Sequence, residues 1–230
     1  MRCPFRYFLV GMTFGVWLMA LSETSFSQQR TQSQRPVATK SSQPPRPQIV
    51  LSDQFNRKHS LQQHRGHVVV LVYGDRKGSD AARKIGTYLH VLFHPTAKGL
   101  SGAKAQDAPP VAIPNWPQNV PMPDVKVIPV ACIGKVPQFV QGFVRRGFRK
   151  AVSDVPVWLD FGSTMKSNFG LVANVPNIAV VDTQGVYRLT GGGNLTREQF
   201  TQLINTIRQL RAEVRPATTG TMPVLMAPGG

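Results

Sequence analysis

The sequence predicts an α/β domain: a central mixed sheet flanked by helices, preceded by a β-hairpin and interrupted by a proline-rich insertion. Three observations predict it. Val68-Val69-Val70-Leu71-Val72 and the run from Val125 to Ile133 are continuous and β-branched, as strands buried on both faces are. Apolar residues at helical spacing follow each run. Val175 to Leu189 then reads as a hairpin, because the apolar run Ile178 to Val181 stops at Asp182-Thr183-Gln184-Gly185 and a second short strand, Val186 to Leu189, resumes. Pro176 stands just ahead of the first strand, where a missing N–H costs no ladder bond and where a cis peptide is least costly.

The elements follow in order. Residues 1–27 read as a secretory signal, with Arg2 and Arg6 ahead of an apolar run from Phe8 to Leu21 and a small-residue cleavage site at Ser25-Phe26-Ser27. The run is short for a bilayer span, so an uncleaved anchor is the lesser alternative. Residues 28–47 are rich in Gln, Ser, Thr, Arg and Pro, bury little apolar surface and are expected to form a disordered linker. The domain is expected over 48–212. Ile49 to Leu61 alternates weakly as a short hairpin, ended by Arg65-Gly66.

After the first buried strand, Gly74-Asp75-Arg76-Lys77-Gly78 breaks the chain, and Ser79 is placed to cap a helix carrying Ala82, Ile85, Leu89 and Leu92 on one face. Residues 94–124 form the insertion, with seven prolines and a lone Trp116; it reads as an irregular surface loop, with a partner-binding loop anchored by Trp116 as the alternative. Past the second buried strand, Val136, Phe139, Val140, Phe143, Val144 and Phe148 keep the period of an amphipathic helix, and Arg145, Arg146, Arg149 and Lys150 cluster at its C-terminal end, where cations complement the dipole. Val157 to Asp160 is strand-like and Ser163 to Phe169 a turn of helix. Thr196 and Gln199 form a capping box before a final helix striped by Phe200, Leu203, Ile204, Ile207 and Leu210. Residues 213–230 are expected to be a disordered tail.

Charge and cysteine content narrow the chemistry. The chain holds 27 basic and 11 acidic residues, net +16. That balance favours polyanions, acidic proteins or anionic surfaces as neighbours and specifies none of them. If cleavage follows Ser27, Cys3 is lost and Cys132 is the sole thiol, so no internal disulfide and no intramolecular redox pair is available.

The segments Ser60-Leu61 through Arg65-Gly66-His67-Val68-Val69-Val70-Leu71 and Val175-Pro176-Asn177-Ile178-Ala179-Val180-Val181-Asp182-Thr183-Gln184-Gly185 resemble the opening strand and the proline-led hairpin of redoxin-like members of the thioredoxin-like superfamily. Within it, the Gly-Asp-Arg-Lys-Gly-Ser loop, Phe143-Val144-Arg145 and Asn194-Leu195-Thr196-Arg197-Glu198-Gln199 are most similar to the YtfJ-like group of periplasmic proteins. The resemblance implies a thioredoxin-like fold from about Pro47 to Arg211, a cis proline at Pro176 and an active loop facing it. Where redox-active members of the superfamily place Cys-x-x-Cys, this chain has Gly78-Ser79-Asp80-Ala81.

Without that sulfur, thiolate attack on a disulfide or peroxide has no starting nucleophile at the helix. Ser79 has no local base to activate its hydroxyl and is read as a cap. Cys132, inside the second buried strand, is read as a core residue, with intermolecular pairing or peroxide reactivity as the alternative. Gly78, Ser79, Asp80, Ala81, Val175 and Pro176 are the expected cleft. Arg76 and Lys77 are candidate anion-binding residues, weighed against a solvated turn. His59, His64, His67, His90 and His94 show no metal-ligand spacing, no dinucleotide fingerprint occurs, and neither a metal nor a cofactor is expected.

The expected function is therefore that of an exported, periplasmic or secreted thioredoxin-fold protein without dithiol chemistry, in a binding or envelope-associated role. The alternatives are a redoxin-type thiol peroxidase or oxidoreductase using Cys132, and an electrostatic polyanion binder. The expected partner is a protein or a polyanion of the envelope, with no specific nucleic acid and no membrane contact except through an uncleaved signal.

Overall fold

The computed structural model describes residues 46–152 and 154–213. The expected signal, nearly all of the expected linker and the tail after Glu213 lie outside the described residues. Among the described residues the seven strands are β1 (Val50–Asp53), β2 (Lys58–Ser60), β3 (Val68–Gly74), β4 (Val125–Cys132), β5 (Trp158–Asp160), β6 (Asn177–Val181) and β7 (Tyr187–Gly192). The helices are α1 (Ser79–Phe93), α2 (Gly102–Gln106), α3 (Gln138–Ala151), α4 (Thr164–Phe169) and α5 (Arg197–Ala212). Short 3-10 turns at Leu61–His64 and Pro95–Ala97 complete the set.

The strands form one sheet in the order β2-β1-β5-β4-β3-β6-β7. β3 and β4 are parallel, as are β4 and β5, while β6 runs antiparallel to β3 and β7 antiparallel to β6. A β3-α1-β4 crossover joined to a β6-β7 hairpin and a closing helix, with strand order β4-β3-β6-β7, is the thioredoxin-like arrangement. The expected mixed sheet and its N-terminal hairpin are both present.

β3 is buried at every position because apolar side chains meet it from both sides. Val69, Leu71 and Tyr73 point into one cluster with Leu51, Ile128, Trp158, Met165 and Phe169. Val68, Val70 and Val72 point into the other, with Leu89 and Phe93 of α1 and Leu203, Ile207 and Leu210 of α5. Period-two alternation in a central strand thus divides one continuous apolar run between two cores. The expected capping box is formed, with Thr196 Oγ1 accepting from the Gln199 backbone N–H and the Gln199 side chain accepting from Thr196 N–H.

Two expectations are corrected. Ser79 does not cap α1: the N-cap is Gly78, and the Ser79 hydroxyl donates to the Arg76 carbonyl at 2.9 Å. The α3 stripe is not a packed stripe. No residue of α3 is fully buried, and Phe139 and Phe143 are 75% and 67% exposed. Val140, Val144 and Phe148, four residues apart, are half-buried, so the apolar period continues onto a face the sheet does not reach.

Candidate functional site

The site lies where β3 ends and α1 begins, opposite the loop that feeds β6. Asp75 organises the first side. Its Oδ1 accepts from the Lys77 and Gly78 backbone N–H groups at 3.0 and 2.9 Å, and its Oδ2 accepts from Asn174 N–H at 2.7 Å, across 99 residues of sequence. These backbone bonds, that from Asn174 foremost, hold the Asp75 carboxyl below the usual carboxylate range. N–H groups just ahead of α1 that an anion would use therefore already face a carboxylate belonging to the chain. Arg76 and Lys77 are exposed on either side of this knot.

Asn177 organises the second side. Buried at the start of β6, it accepts from Val172 N–H at 2.9 Å and donates to the carbonyls of Val172 and Val175, each at 3.0 Å. Gly192 makes room for it, since a Cβ there would stand 2.6 Å from Asn177 Oδ1. Asn174, at φ +66°, turns the loop in the left-handed region that Asn tolerates better than most side chains.

The two sides touch. A Cβ on Gly78 would stand 2.3 Å from the Val175 carbonyl oxygen and 2.6 Å from its carbon, so only glycine permits this backbone approach. Gly78 and Pro176 are buried, Ala81 and Val175 half-buried, and Ser79 and Asp80 exposed. The structure thus brings Gly78 and Val175 into direct contact and leaves Arg76, Lys77, Ser79, Asp80 and Asn174 as a polar rim. A shallow cavity of about 330 Å³ lies elsewhere, lined by Arg46, Pro47, Gln48, Asn168, Phe169 and Tyr187. None of the expected cleft residues lines it.

Cys132 ends β4, half-buried, paired in register with Asp160. Burial pushes its thiol up to about 12, helped by the negative charges of Asp160 and Asp75. A thiol so placed is almost wholly protonated at neutral pH and is a poor nucleophile. Asp160 is already engaged: its Oδ1 accepts from Gly162 N–H in the turn and from Thr164 N–H, and its Oδ2 from Met165 N–H, the last two at the start of α4.

Sequence reasoning missed how the carboxylates are used. Asp53, Asp75, Asp160 and Asp182 each stand at or just past the end of a strand and accept backbone N–H groups of the following turn. Asp124 does the corresponding work just before β4, accepting from Val125 N–H, His94 Nε2 and Lys126 Nζ. The repeated position of Asp at strand ends was the available signal. Such carboxylates are structural acceptors rather than spare acids or bases.

The insertion is tied down at its ends. His94 and Asp124, its boundary residues, bond at 2.8 Å, and Arg211 of α5, only 2% exposed, donates to the carbonyls of Pro123 at 2.9 Å and Val111 at 3.0 Å. Trp116 spends its indole N–H on Val120 within the same loop. Of the histidines, His90 stacks on His94 and His59 on Trp158. Among the described residues no cluster of His, Cys, Asp or Glu is arranged to hold a metal.

No family model matches the chain, and no curated protein matches it in sequence. Solved structures do match in chain path. They include the exposed lipoprotein thioredoxin Etrx1 of Streptococcus pneumoniae (14% identity, TM-score 0.42, 69% of this chain and 98% of that one). A thioredoxin-family thiol:disulfide interchange protein of Chlorobium tepidum matches at 12% identity and TM-score 0.42, over 72% and 97% of the two chains. A peroxiredoxin-like protein of Aquifex aeolicus matches at 10% and 0.41, over 73% and 86%. The assignment itself rests on strand order and crossovers. The chain has the thioredoxin-like fold, and Gly78-Ser79-Asp80-Ala81 at the start of its first long helix contains no cysteine.

Proposed function

We propose that this chain is an exported thioredoxin-fold protein that works by binding in the cell envelope and performs no dithiol chemistry. The observation that carries the reading is the backbone contact between Gly78 and Val175, which fills with main chain the place a reactive side chain would need. The thiol of Cys132, raised to about 12 by burial and by Asp160 and Asp75, supports it further. The binding face is the stapled loop pair, Asp75 to Asp80 with Asn174, whose rim of Arg76, Lys77, Ser79 and Asp80 is exposed and whose geometry is fixed by the Asp75–Asn174 bond. Rigid loops presenting mixed charge suit recognition of a polar partner.

The test is turnover. Disulfide reduction and peroxide consumption are expected at the protein-free rate, with Cys132→Ser indistinguishable from the parent. Turnover that Cys132→Ser abolishes would replace the binding reading with thiol chemistry.

A further inference from the structure

We infer that the outer face of α3 is a docking surface for an anionic lipid bilayer. Phe139 and Phe143 lie on the outer face of the helix, 75% and 67% exposed, and no other large apolar residue of the described chain is as bare as either. On the same face one and two turns on stand Arg146 and Lys150, both exposed. Arg146 lies over the Phe143 ring at 5.8 Å, so cation and ring already form one unit. Gly142 and Gly147 flank the rings, with open space where a Cβ would be, which keeps this face low between the bulky side chains.

The helix cannot turn this face inward. On its other side Arg145 donates to Ser52 Oγ at 3.0 Å and lies over the Phe161 ring at 4.9 Å, and Arg149 Nη1 donates to the Gln54 carbonyl at 2.9 Å. Gln54 is itself locked by bonds to Val152, Val155 and Val157. The turn after β1, held at that end of α3, carries a second exposed ring and cation, Phe55 with Arg57 over it at 5.6 Å.

Charge selects the occupant. From Lys135 to Val152 the chain has five cations and no acid, so pairing this face with a second copy would bring like charges together. A soluble polyanion would pair the cations and leave two phenylalanine rings in water. A bilayer with anionic headgroups takes both: rings at the headgroup and acyl boundary, cations at the phosphates.

The test is hydrogen exchange of the full chain on vesicles of phosphatidylcholine alone and of phosphatidylcholine mixed with phosphatidylglycerol. Protection of residues 138–151 is expected on the mixed vesicles and not on the neutral ones. Arg146→Gln and Lys150→Gln should each raise the lipid concentration for half-protection about fivefold. Phe139→Ser with Phe143→Ser should raise it about tenfold or more while leaving the thermal unfolding of the lipid-free protein unchanged, since both rings are exposed. Protection confined to residues 1–27, equal protection on neutral vesicles, or concentration-dependent protection without lipid would each overturn the proposal. So would protection by heparin or polyglutamate that vesicles do not reproduce.

Discussion

Gly78 decides what the site can be. Its Cα hydrogen points at the Val175 carbonyl, and Gly78→Ala should force that loop to move, costing about 1–3 kcal/mol in urea unfolding. An unchanged midpoint would mean that the two segments are free to separate. Asn177 supports the same contact from behind through three hydrogen bonds, so Asn177→Ala should lower stability by about 2–3 kcal/mol and raise exchange at residues 172–175. At this scale little was legible. The sequence placed Gly78 and Pro176 in one neighbourhood only through resemblance, because nothing local in Asp75-Arg76-Lys77-Gly78 shows that Asp75 reaches a partner 99 residues away.

Among the elements, those with a core on both sides were legible and those at the margin were not. β3, β4 and α1 follow from their apolar period, and α5 from its period and capping box, because their apolar stripes meet a core. The α3 stripe has the same period, yet period says which residues share a face and not whether a sheet lies opposite. Phe139 and Phe143 stand on the face turned away from Ser52 and Gln54, to which Arg145 and Arg149 anchor the helix. The insertion shows the converse. Arg211 stands near the end of α5, where a cation complements the helix dipole, yet it is buried and holds the insertion by two carbonyls. Arg211→Ala should therefore destabilise the protein by about 2–3 kcal/mol and speed exchange across residues 95–123 more than in the sheet. Uniform exchange changes would deny the clasp.

For the whole molecule, scarce acids closing turns make stability fall on the acid side. Asp124 is held well below the usual carboxylate range: burial opposes its charge, but the bonds from His94 and Lys126 outweigh it. For Asp53 too, burial opposes the charge and the bonds from His59 and the Arg57 and Phe55 N–H groups outweigh it; Asp75 is lowered chiefly by the Asn174 N–H. A carboxyl whose folded value is depressed adds stability that is complete above its unfolded value, 3.8, and is lost as pH falls below it toward the folded value. Urea midpoints should decline modestly below about pH 6.5, where His64, His67 and His90, held below their usual value chiefly by burial, must take up charge, and drop steeply below about pH 4; Asp124→Asn should flatten the steep drop while costing about 2 kcal/mol at pH 7. A drop of undiminished slope in that variant would assign the acid lability elsewhere.

The central claim is that this thioredoxin-like fold has no working thiol, and the alkylation rate of Cys132 tests it most directly. In the folded protein with Cys3→Ser, iodoacetamide labelling should be slow at neutral pH and still rising at pH 10, in keeping with a thiol raised to about 12. A labelling rate that levels off near pH 7, faster than that of a free cysteine, would contradict the account.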